Sequence, residues 1–318
     1  MRFEKQDLKQ ALTGISGILV TPFNTNDDLA PERQGPIVDR AIAAGVHILV
    51  ANGNTGEFYA LTADEAETMV HATAGHVSGR VPLIAGVGRG VRDACRLARA
   101  SAEAGADALM IHQPPDPFAA PRGIVDYVRH VSEASGGLPL VIYLRNDAIG
   151  VNGIEALCAV EGVVGVKWAT PNPLKLAEAM AACDPDIVWV GGLAEVWAPP
   201  LYAVGARGFT SGLINVWPQR SVAIHAALER GDYAEARRLI AGMRAFEDIR
   251  AQEMNGTNVT GVKAALRFLG HDCGRTRPPS AWPLTEAQSK MLAEFVEANG
   301  LDRLGGKPAA ISGSLRKS

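Results

Sequence analysis

The chain has few of the groups that mark metal sites, disulfide frameworks or nucleic-acid binding. Its four cysteines lie far apart and none belongs to a Cys-x-x-Cys pair: Cys95, Cys158, Cys183 and Cys273. This spacing indicates free thiols in a reducing cytosol, and neither a zinc site nor a disulfide framework is expected. The formal net charge is only -3, which gives no electrostatic reason to expect binding to nucleic acid or to an anionic membrane.

Long apolar runs are also absent from the sequence. No uninterrupted apolar segment is long enough to span a bilayer, and residues 1–6 lack the apolar core of a signal peptide. We therefore expect a cytoplasmic protein with no membrane partner. The chain has 318 residues, of which 47% are hydrophobic and 20% charged, as in ordinary globular enzymes. That length allows one large α/β barrel or two smaller domains.

Short apolar runs alternate with longer helical windows along most of the chain. The predicted strands cover residues 15–20, 46–51, 81–87, 106–111, 138–143, 162–167, 186–191 and 207–212. Repeated strand-then-helix alternation with short loops indicates a parallel sheet. Eight such units favour a closed (β/α)8 TIM barrel over an open sheet.

The strand pattern stops near residue 231 and only helical patterns follow. Three helices are predicted, over residues 233–250, 259–269 and 285–298. We therefore predict a barrel over residues 1–230 and an appended C-terminal helical layer over residues 231–304. The tail over residues 305–318 is rich in Gly, Ser and Ala and is predicted to be disordered.

Lys167 is the most informative single residue, because it ends the apolar run over residues 163–166. Lysine is rarely buried unless its ammonium is paired or neutralised. The chain has only eight lysines, and no other one ends a strand-like apolar run. Lys167 is therefore either a rim lysine paired with a loop carboxylate or a buried amine. Burial would lower its pKa and make it a nucleophile toward carbonyl groups.

Other polar residues follow the predicted strands, where the active site of such a barrel is expected. Tyr143 ends the strand before that of Lys167; it is either a barrel-rim aromatic or a proton donor beside the amine. The remaining candidates are Asn54, Thr55, Gly56, Arg145, Thr210, Ser211 and Asn215. The loop containing Asn54 is either a simple turn or a set of amide donors for a carboxylate. We expect a structural role for His112 and no metal, since no His/Cys/Asp cluster has metal-ligand spacing.

The chain resembles the dihydrodipicolinate synthase and N-acetylneuraminate lyase superfamily. The motifs that carry this resemblance are Thr21-Pro22-Phe23, Asn54-Thr55-Gly56-Glu57-Phe58, Tyr143 and Gly165-Val166-Lys167, in that order. The resemblance implies a (β/α)8 barrel that assembles as a homotetramer or homodimer. It also implies that Lys167 forms an imine with a 2-keto acid without a cofactor, and that Tyr143 relays protons. Thr55 and the Gly56 amide would hold the substrate carboxylate, and Thr210 and Ser211 would line the pocket.

Within this superfamily the sequence departs from the dihydrodipicolinate synthases. It has Ala148 where they carry an arginine, Asn54 where they carry a threonine, and a Pro-rich loop at residues 114–118 where they carry a tyrosine pair. It is more similar to the 5-dehydro-4-deoxyglucarate dehydratases. The shared features are Thr55-Gly56-Glu57-Phe58, Tyr143-Leu144-Arg145, Ser211, Asn215, Gly270-His271-Asp272 and Arg277-Pro278-Pro279. The dehydratases usually continue from the lysine with Asp-Gly, so Trp168 is expected to reshape the pocket floor.

These observations lead to a functional hypothesis. The protein would dehydrate and decarboxylate a 2-keto-3-deoxy sugar diacid, such as 5-dehydro-4-deoxyglucarate, through an imine at Lys167. Arg145 would pair with the distal carboxylate, which its planar guanidinium fits bidentately. The alternatives are a 2-keto-3-deoxy sugar acid aldolase, a 4-hydroxy-tetrahydrodipicolinate synthase and a non-catalytic regulator that binds keto acids.

Overall fold

The computed structural model describes residues 3–301. Eight parallel strands form a closed barrel in sequence order, so the predicted (β/α)8 fold is confirmed. The strands are β1 Ile15–Ile18, β2 Ile48–Ala51, β3 Leu83–Val87, β4 Ala108–His112, β5 Leu140–Leu144, β6 Val163–Trp168, β7 Val188–Gly191 and β8 Phe209–Ser211. Closure is made by β8 beside β1, with Thr210 opposite Ser16.

Each of the eight strands is followed by a helix that packs outside the barrel. One helix, α1 Lys5–Leu12, precedes the barrel and was not predicted from the sequence. The others are α2 Gly35–Ala43, α3 Ala63–Val77, α4 Val91–Glu103, α5 Pro121–Ala134, α6 Val151–Cys158, α7 Pro173–Ala182, α8 Ala194–Ala203 and α9 Pro218–Glu229. Leu8 and Leu12 of α1 are buried in the interior of the barrel with residues such as Val164 and Ile48.

The chain after the barrel is helical, as predicted. It forms α10 Tyr233–Ala241, α11 Arg244–Arg250, α12 Asn258–Phe268 and α13 Glu286–Ala298. The single helix predicted over residues 233–250 is wrong, because the chain breaks between α10 and α11 at Gly242, a residue with low helix propensity. Between α11 and α12, three successive non-glycine residues adopt positive φ angles: Glu253, Met254 and Asn255.

The C-terminal helices share a core with the barrel layer. Phe246 of α11 packs against Phe295 of α13 with ring centroids 5.6 Å apart, and Trp217, just before α9, lies 6.1 Å from Phe295. The domain boundary at residue 230 stays a prediction, and so does the homotetramer or homodimer. The tail predicted over residues 305–318 lies outside the described residues.

Candidate active site

A cavity of about 560 Å³ opens at the carboxyl ends of the barrel strands. The predicted site residues that line it are Asn54, Thr55, Tyr143, Arg145, Lys167 and Thr210. They come from the ends of β2, β5, β6 and β8 or from the segments that follow. The barrel topology therefore brings side chains that are far apart in the sequence to one wall, as expected for this fold.

An irregularity in β6 turns Lys167 toward the barrel interior. The pairing of β5 with β6 shifts by one residue, so that Leu140 is opposite Val163 but Val141 is opposite Gly165. Such an extra residue reverses which side chains of the strand face inward. Gly165 fits this position, since a Cβ there would lie 2.9 Å from the Val188 carbonyl oxygen. As a result, Lys167 is opposite Tyr143 and points into the cavity.

Lys167 is buried and has no carboxylate partner among the described residues, which rules out the paired rim lysine. Its Nζ lies 3.7 Å from the centroid of the Tyr143 ring. Burial, reinforced by the positive charge of Arg145, lowers the pKa of Lys167 to about 7. Near neutral pH, Lys167 is therefore an uncharged amine in a large fraction of the molecules. The uncharged amine is the form that attacks a carbonyl carbon.

Tyr143 lies beside this amine and is also buried. Its hydroxyl oxygen accepts a hydrogen bond of 3.0 Å from Nδ2 of Asn54. Burial raises the pKa of Tyr143 to about 12, so the phenol keeps its proton at neutral pH. Because Asn54 donates to the oxygen, the phenolic proton is free to point into the cavity. The geometry thus pairs a nucleophilic amine with a neutral proton donor.

The loop after β2 lies at the same cavity, which Asn54 and Thr55 line. Asn54, Thr55 and Gly56 form a short 3-10 turn. The Gly56 amide, predicted as a carboxylate ligand, donates to the Gly53 carbonyl over 2.9 Å within this turn, and Gly56 does not line the cavity. The first N–H groups of such a turn have no acceptor within it. The amides of Asn54 and Thr55 have no acceptor among the described residues.

Thr210 and Ser211 were both predicted to line the pocket, but only Thr210 does. Adjacent residues of a strand point to opposite faces, and Ser211 points out of the barrel. Its hydroxyl donates to Oε1 of Glu195 over 2.5 Å, behind the pocket wall. Glu195 at the start of α8 is fully buried, and burial raises its pKa to about 7.

Asn215 is likewise not part of the pocket. Its side chain is buried and joins the 3-10 turn after β8 to the end of β1. The side-chain oxygen accepts from the Val20 amide over 3.1 Å, and Nδ2 donates to the Ile18 carbonyl over 2.9 Å. With every hydrogen-bonding atom of its amide group used by the backbone, Asn215 has a structural role.

Trp168 does not reshape the pocket floor, so this expectation is corrected. Because it follows Lys167 in β6, it points to the opposite face and is buried between the barrel and its helices. Its indole ring packs edge-on against Trp189, with centroids 6.3 Å apart. The replacement of Asp-Gly by Trp168-Ala169 therefore changes the outer packing, and Ala169, not Trp168, reaches the cavity.

The outer end of the cavity is built from both the barrel and the C-terminal layer. Arg145 is exposed at the rim and has no carboxylate partner among the described residues. Sequence reasoning missed the opposite side, which is lined by Arg244, Glu247, Asp248, Arg250, Met254, Asn255, Asn258 and Ser280. There the arginines are already paired, Arg244 with Asp248 and Arg250 with Glu247. Their i,i+3 and i,i+4 spacing indicates ion pairs within one helix, but nothing in the sequence places these ion pairs at the cavity.

His112 is structural, as predicted. It is fully buried, it stacks on Phe58 with centroids 4.3 Å apart, and it donates from Nε2 to the Asn52 carbonyl over 2.9 Å. Burial lowers the pKa of His112 to about 3, so the ring is neutral. Gly86 and Gly88 leave room for it, since a Cβ at either position would lie 2.9 Å from an atom of His112.

Comparison with known proteins decides the family. A family model described as the dihydrodipicolinate synthetase family matches residues 11–299. The chain belongs to the dihydrodipicolinate synthetase family. The match covers the barrel and the C-terminal helices together.

Curated relatives of this family point to one branch of it. The chain is 33% identical over 302 residues to "Probable 5-dehydro-4-deoxyglucarate dehydratase 1" of Streptomyces coelicolor, covering 91% of this chain and 95% of the relative. It is 33% identical over 268 residues to the protein of the same name from Streptomyces avermitilis, covering 82% and 85%. Among solved structures, dihydrodipicolinate synthase from Bacillus clausii has a TM-score of 0.88 and 34% identity, covering 92% of this chain and 100% of the other.

One departure from the synthases of the family lies away from the cavity around Lys167. In the Pro-rich loop after β4, Pro114, Pro115 and Asp116 line a separate cavity with Tyr59 and Tyr127. Within the single described chain, these loop residues do not line the cavity around Lys167.

Two further findings concern metals and membranes. Within residues 3–301, no three His, Cys, Asp or Glu side chains are grouped so as to hold a metal ion. Nor does any helix in that range combine the length and the apolar character that crossing a membrane requires.

Proposed function

We propose that this protein is a lyase that forms an imine between Lys167 and a 2-keto acid. In the most specific form of the proposal, it dehydrates and decarboxylates a 2-keto-3-deoxy sugar diacid such as 5-dehydro-4-deoxyglucarate. The observation that carries the proposal is the buried amine of Lys167, which has a pKa of about 7 and lies 3.7 Å from the Tyr143 ring inside the cavity. The names of the Streptomyces relatives support the choice of substrate.

The chemistry begins at the keto carbon of the substrate. The uncharged amine of Lys167 adds to this carbon, and loss of water leaves an iminium ion. The iminium withdraws electrons from the neighbouring C3, so that a proton leaves C3 and the hydroxyl group on C4 departs as water. Carbon dioxide is then lost from C6: the electron pair of the broken C5–C6 bond passes through the new C3–C4 double bond to the iminium, and the enol left at C5 tautomerises to the aldehyde. Hydrolysis of the imine releases the semialdehyde and returns the amine. Tyr143, with its proton free, protonates the departing oxygen atoms.

The loop after β2 would hold the carboxylate next to the keto group. Its amides at Asn54 and Thr55 have no acceptor in the described chain, and convergent backbone amides bind anions. The Oδ1 atom of Asn54 is buried and accepts no hydrogen bond within the described residues, so it can accept one from a substrate hydroxyl. Arg145 at the rim would pair with the distal carboxylate, because the other arginines of the cavity already have carboxylate partners.

Borohydride reduction in the presence of pyruvate tests the imine. We expect a stable mass increase on the peptide that contains Lys167, and none in a Lys167→Ala variant. Lys175→Ala, on the neighbouring helix α7, is the matched control and should be labelled like the wild type. An adduct on another lysine would disprove the role of Lys167. No adduct in the wild type would disprove the imine mechanism and favour a keto-acid-binding regulator.

Product analysis separates the reactions that share this imine. With 5-dehydro-4-deoxyglucarate, we expect a semialdehyde together with carbon dioxide. Release of pyruvate from a sugar acid would instead identify an aldolase. Condensation of pyruvate with an amino aldehyde would identify a 4-hydroxy-tetrahydrodipicolinate synthase, and either result would overturn the dehydratase proposal.

A further inference from the structure

The loop that would bind the substrate carboxylate begins and ends with strained backbone. Asn52 and Glu57 flank the 3-10 turn, and each has a φ of 56°. This left-handed conformation is unfavourable for most residues; asparagine adopts it at lower cost than others, so Glu57 carries the greater strain. It persists where surrounding contacts fix it, and such contacts often occur at functional sites.

Buried side chains hold both strained residues. The Asn52 carbonyl accepts a hydrogen bond from His112. The side-chain Nδ2 of Asn52 donates to the Ala66 carbonyl over 2.9 Å. The Glu57 carboxylate is 2.6 Å from Nζ of Lys263 and accepts from the Arg277 amide over 2.9 Å. The contacts that fix Asn52 come from the barrel, whereas those that fix Glu57 come from the C-terminal layer.

Lys263 is a second buried lysine, and its surroundings differ from those of Lys167. It lies on α12 with its side chain fully buried. Nζ pairs with Glu57, donates to the Arg275 carbonyl over 3.0 Å and lies 4.2 Å from the centre of the Phe23 ring. It does not line the cavity, so it is not a second nucleophile.

We propose that Lys263 is a positioning residue for substrate binding. Through its ion pair with Glu57, it fixes the left-handed end of the loop and so aims the amides of Asn54 and Thr55 into the cavity. Thr21 assists from the segment after β1, since its hydroxyl donates to the Gly56 carbonyl over 2.7 Å. This inference rests on the proposal that the loop binds the substrate carboxylate.

Fixing the backbone at the end of the loop explains why Lys263 and Glu57 form a charged pair at this position. Replacing a buried ion pair by apolar residues of similar volume is often neutral or stabilising, whereas removing one partner leaves an uncompensated charge. An apolar pair could therefore fill the same space. It could not replace the contacts by which the Glu57 carboxylate joins the end of the turn to Lys263 and to the Arg277 amide.

The test compares pyruvate binding with stability in a set of variants. The pyruvate concentration that gives half-maximal borohydride trapping at Lys167 is measured for the wild type, Lys263→Met and the double variant Lys263→Met/Glu57→Gln. Thermal unfolding is measured on the same samples. Leu266→Ala, a buried position on the same helix that does not line the cavity, is the control for loss of stability alone.

We expect Lys263→Met to unfold at lower temperature and to need about ten- to a hundredfold more pyruvate, since small misplacements of binding groups have effects of this size. The double variant has no unpaired charge, so its unfolding temperature should recover while its half-saturating pyruvate stays high. It also serves as the test if the single variant does not fold. Leu266→Ala should lose stability but keep wild-type pyruvate binding.

Two outcomes would overturn the inference. One is wild-type half-saturation in Lys263→Met, and the other is recovery of both stability and pyruvate binding in the double variant. A wild-type protein that forms no adduct at all would be a different result, because it would refute the imine chemistry itself and with it the function of the loop.

Discussion

The burial that makes Lys167 reactive also destabilises the folded protein. In the unfolded chain its amine holds a proton up to a pH near 10.5, whereas in the folded protein the pKa is about 7. The unfolded state therefore binds more protons between these two values, and the stability contribution of this group rises with pH across that window. Below pH 7 the folded protein carries the full cost of a buried charge.

Replacing this lysine by an apolar residue should therefore stabilise the protein most at low pH. We predict that Lys167→Met unfolds at a higher temperature than the wild type at pH 6. The corresponding gain in unfolding free energy is on the order of a few kcal/mol. The difference should shrink as the pH rises from 7 toward 10. Thermal unfolding of both proteins over this range measures it, and a pH-independent difference would contradict the lowered pKa.

Asn54 should act on the chemical step through Tyr143. Asn54→Ala removes the donor to the phenol oxygen and leaves the ring in place, so the proton is no longer aimed into the cavity. We predict a fall in kcat of about tenfold or more, with a smaller change in half-saturating pyruvate. Tyr143→Phe is the matched comparison and should lose more activity. An Asn54→Ala variant with wild-type kcat would show that the hydrogen bond is not used.

Arg145 should distinguish substrates with one carboxylate from those with two. Arg145→Gln removes the charge at the rim without altering the loop that would hold the first carboxylate. We predict that KM for the sugar diacid rises by about ten- to a hundredfold, as expected for loss of a charge-assisted pair. Pyruvate trapping should remain possible at high pyruvate concentration. Equal effects on both ligands would argue against a role for Arg145 at the distal carboxylate.

Sequence reasoning identified individual site residues better than it placed them. Lys167 and Tyr143 stand out because a lysine and a tyrosine end apolar runs in neighbouring strands. The inward direction of Lys167, however, depends on a register shift in β6 that no local pattern reveals. Lys263 was missed, since its partner Glu57 is distant in the sequence and meets it only when the C-terminal layer packs on the barrel.

At the scale of elements, periodicity predicted the eight strands and most helices. The same period-two rule could have separated Thr210 from Ser211, since adjacent residues of β8 must face opposite ways. The split between α10 and α11 was missed because Gly242 is a weak break signal within a long helical pattern. Helix α1 was missed because it is short and carries few apolar residues.

The contact between α8 and β8 contains a buried carboxyl group that is only partly satisfied. Glu195 accepts hydrogen bonds from Ser211 and Ser221 at Oε1, whereas its Oε2 has no partner among the described residues. Burial, with the nearby Glu247 carboxylate, raises its pKa from 4.5 to about 7. The folded state therefore holds this proton more tightly than the unfolded state, and stability is lost as the pH rises from 4.5 to 7.

A neutral residue of the same shape should remove this loss. We predict that Glu195→Gln unfolds at a higher temperature than the wild type at pH 8, because Gln keeps the acceptor for both serines and carries no charge. The difference should vanish near pH 4.5, where the wild-type carboxyl is protonated. Thermal unfolding at the two pH values measures this. A variant that is less stable at pH 8 would show that the carboxylate is needed to hold β8.

At the scale of the whole molecule, the C-terminal helices complete both the core and the site. Phe295 packs against Phe246 and Trp217 at the outside of the barrel, while Lys263 reaches the loop after β2. Segments such as 244–258 also line the cavity. The sequence divides into a strand-containing part and a helical part, but these contacts connect the two parts. They cross the domain boundary that was predicted at residue 230.

Truncation tests whether the barrel is independent of this layer. We predict that a chain ending at residue 230 does not unfold cooperatively and forms no pyruvate adduct, because its barrel helices lose their apolar cover and Glu57 is left buried or hydrated without Lys263. A chain ending at residue 304 should keep both properties, since it retains helices α10 to α13. Calorimetry and borohydride trapping measure the two outcomes. A stable chain of residues 1–230 that still formed the adduct would show that the layer is dispensable to both the core and the site.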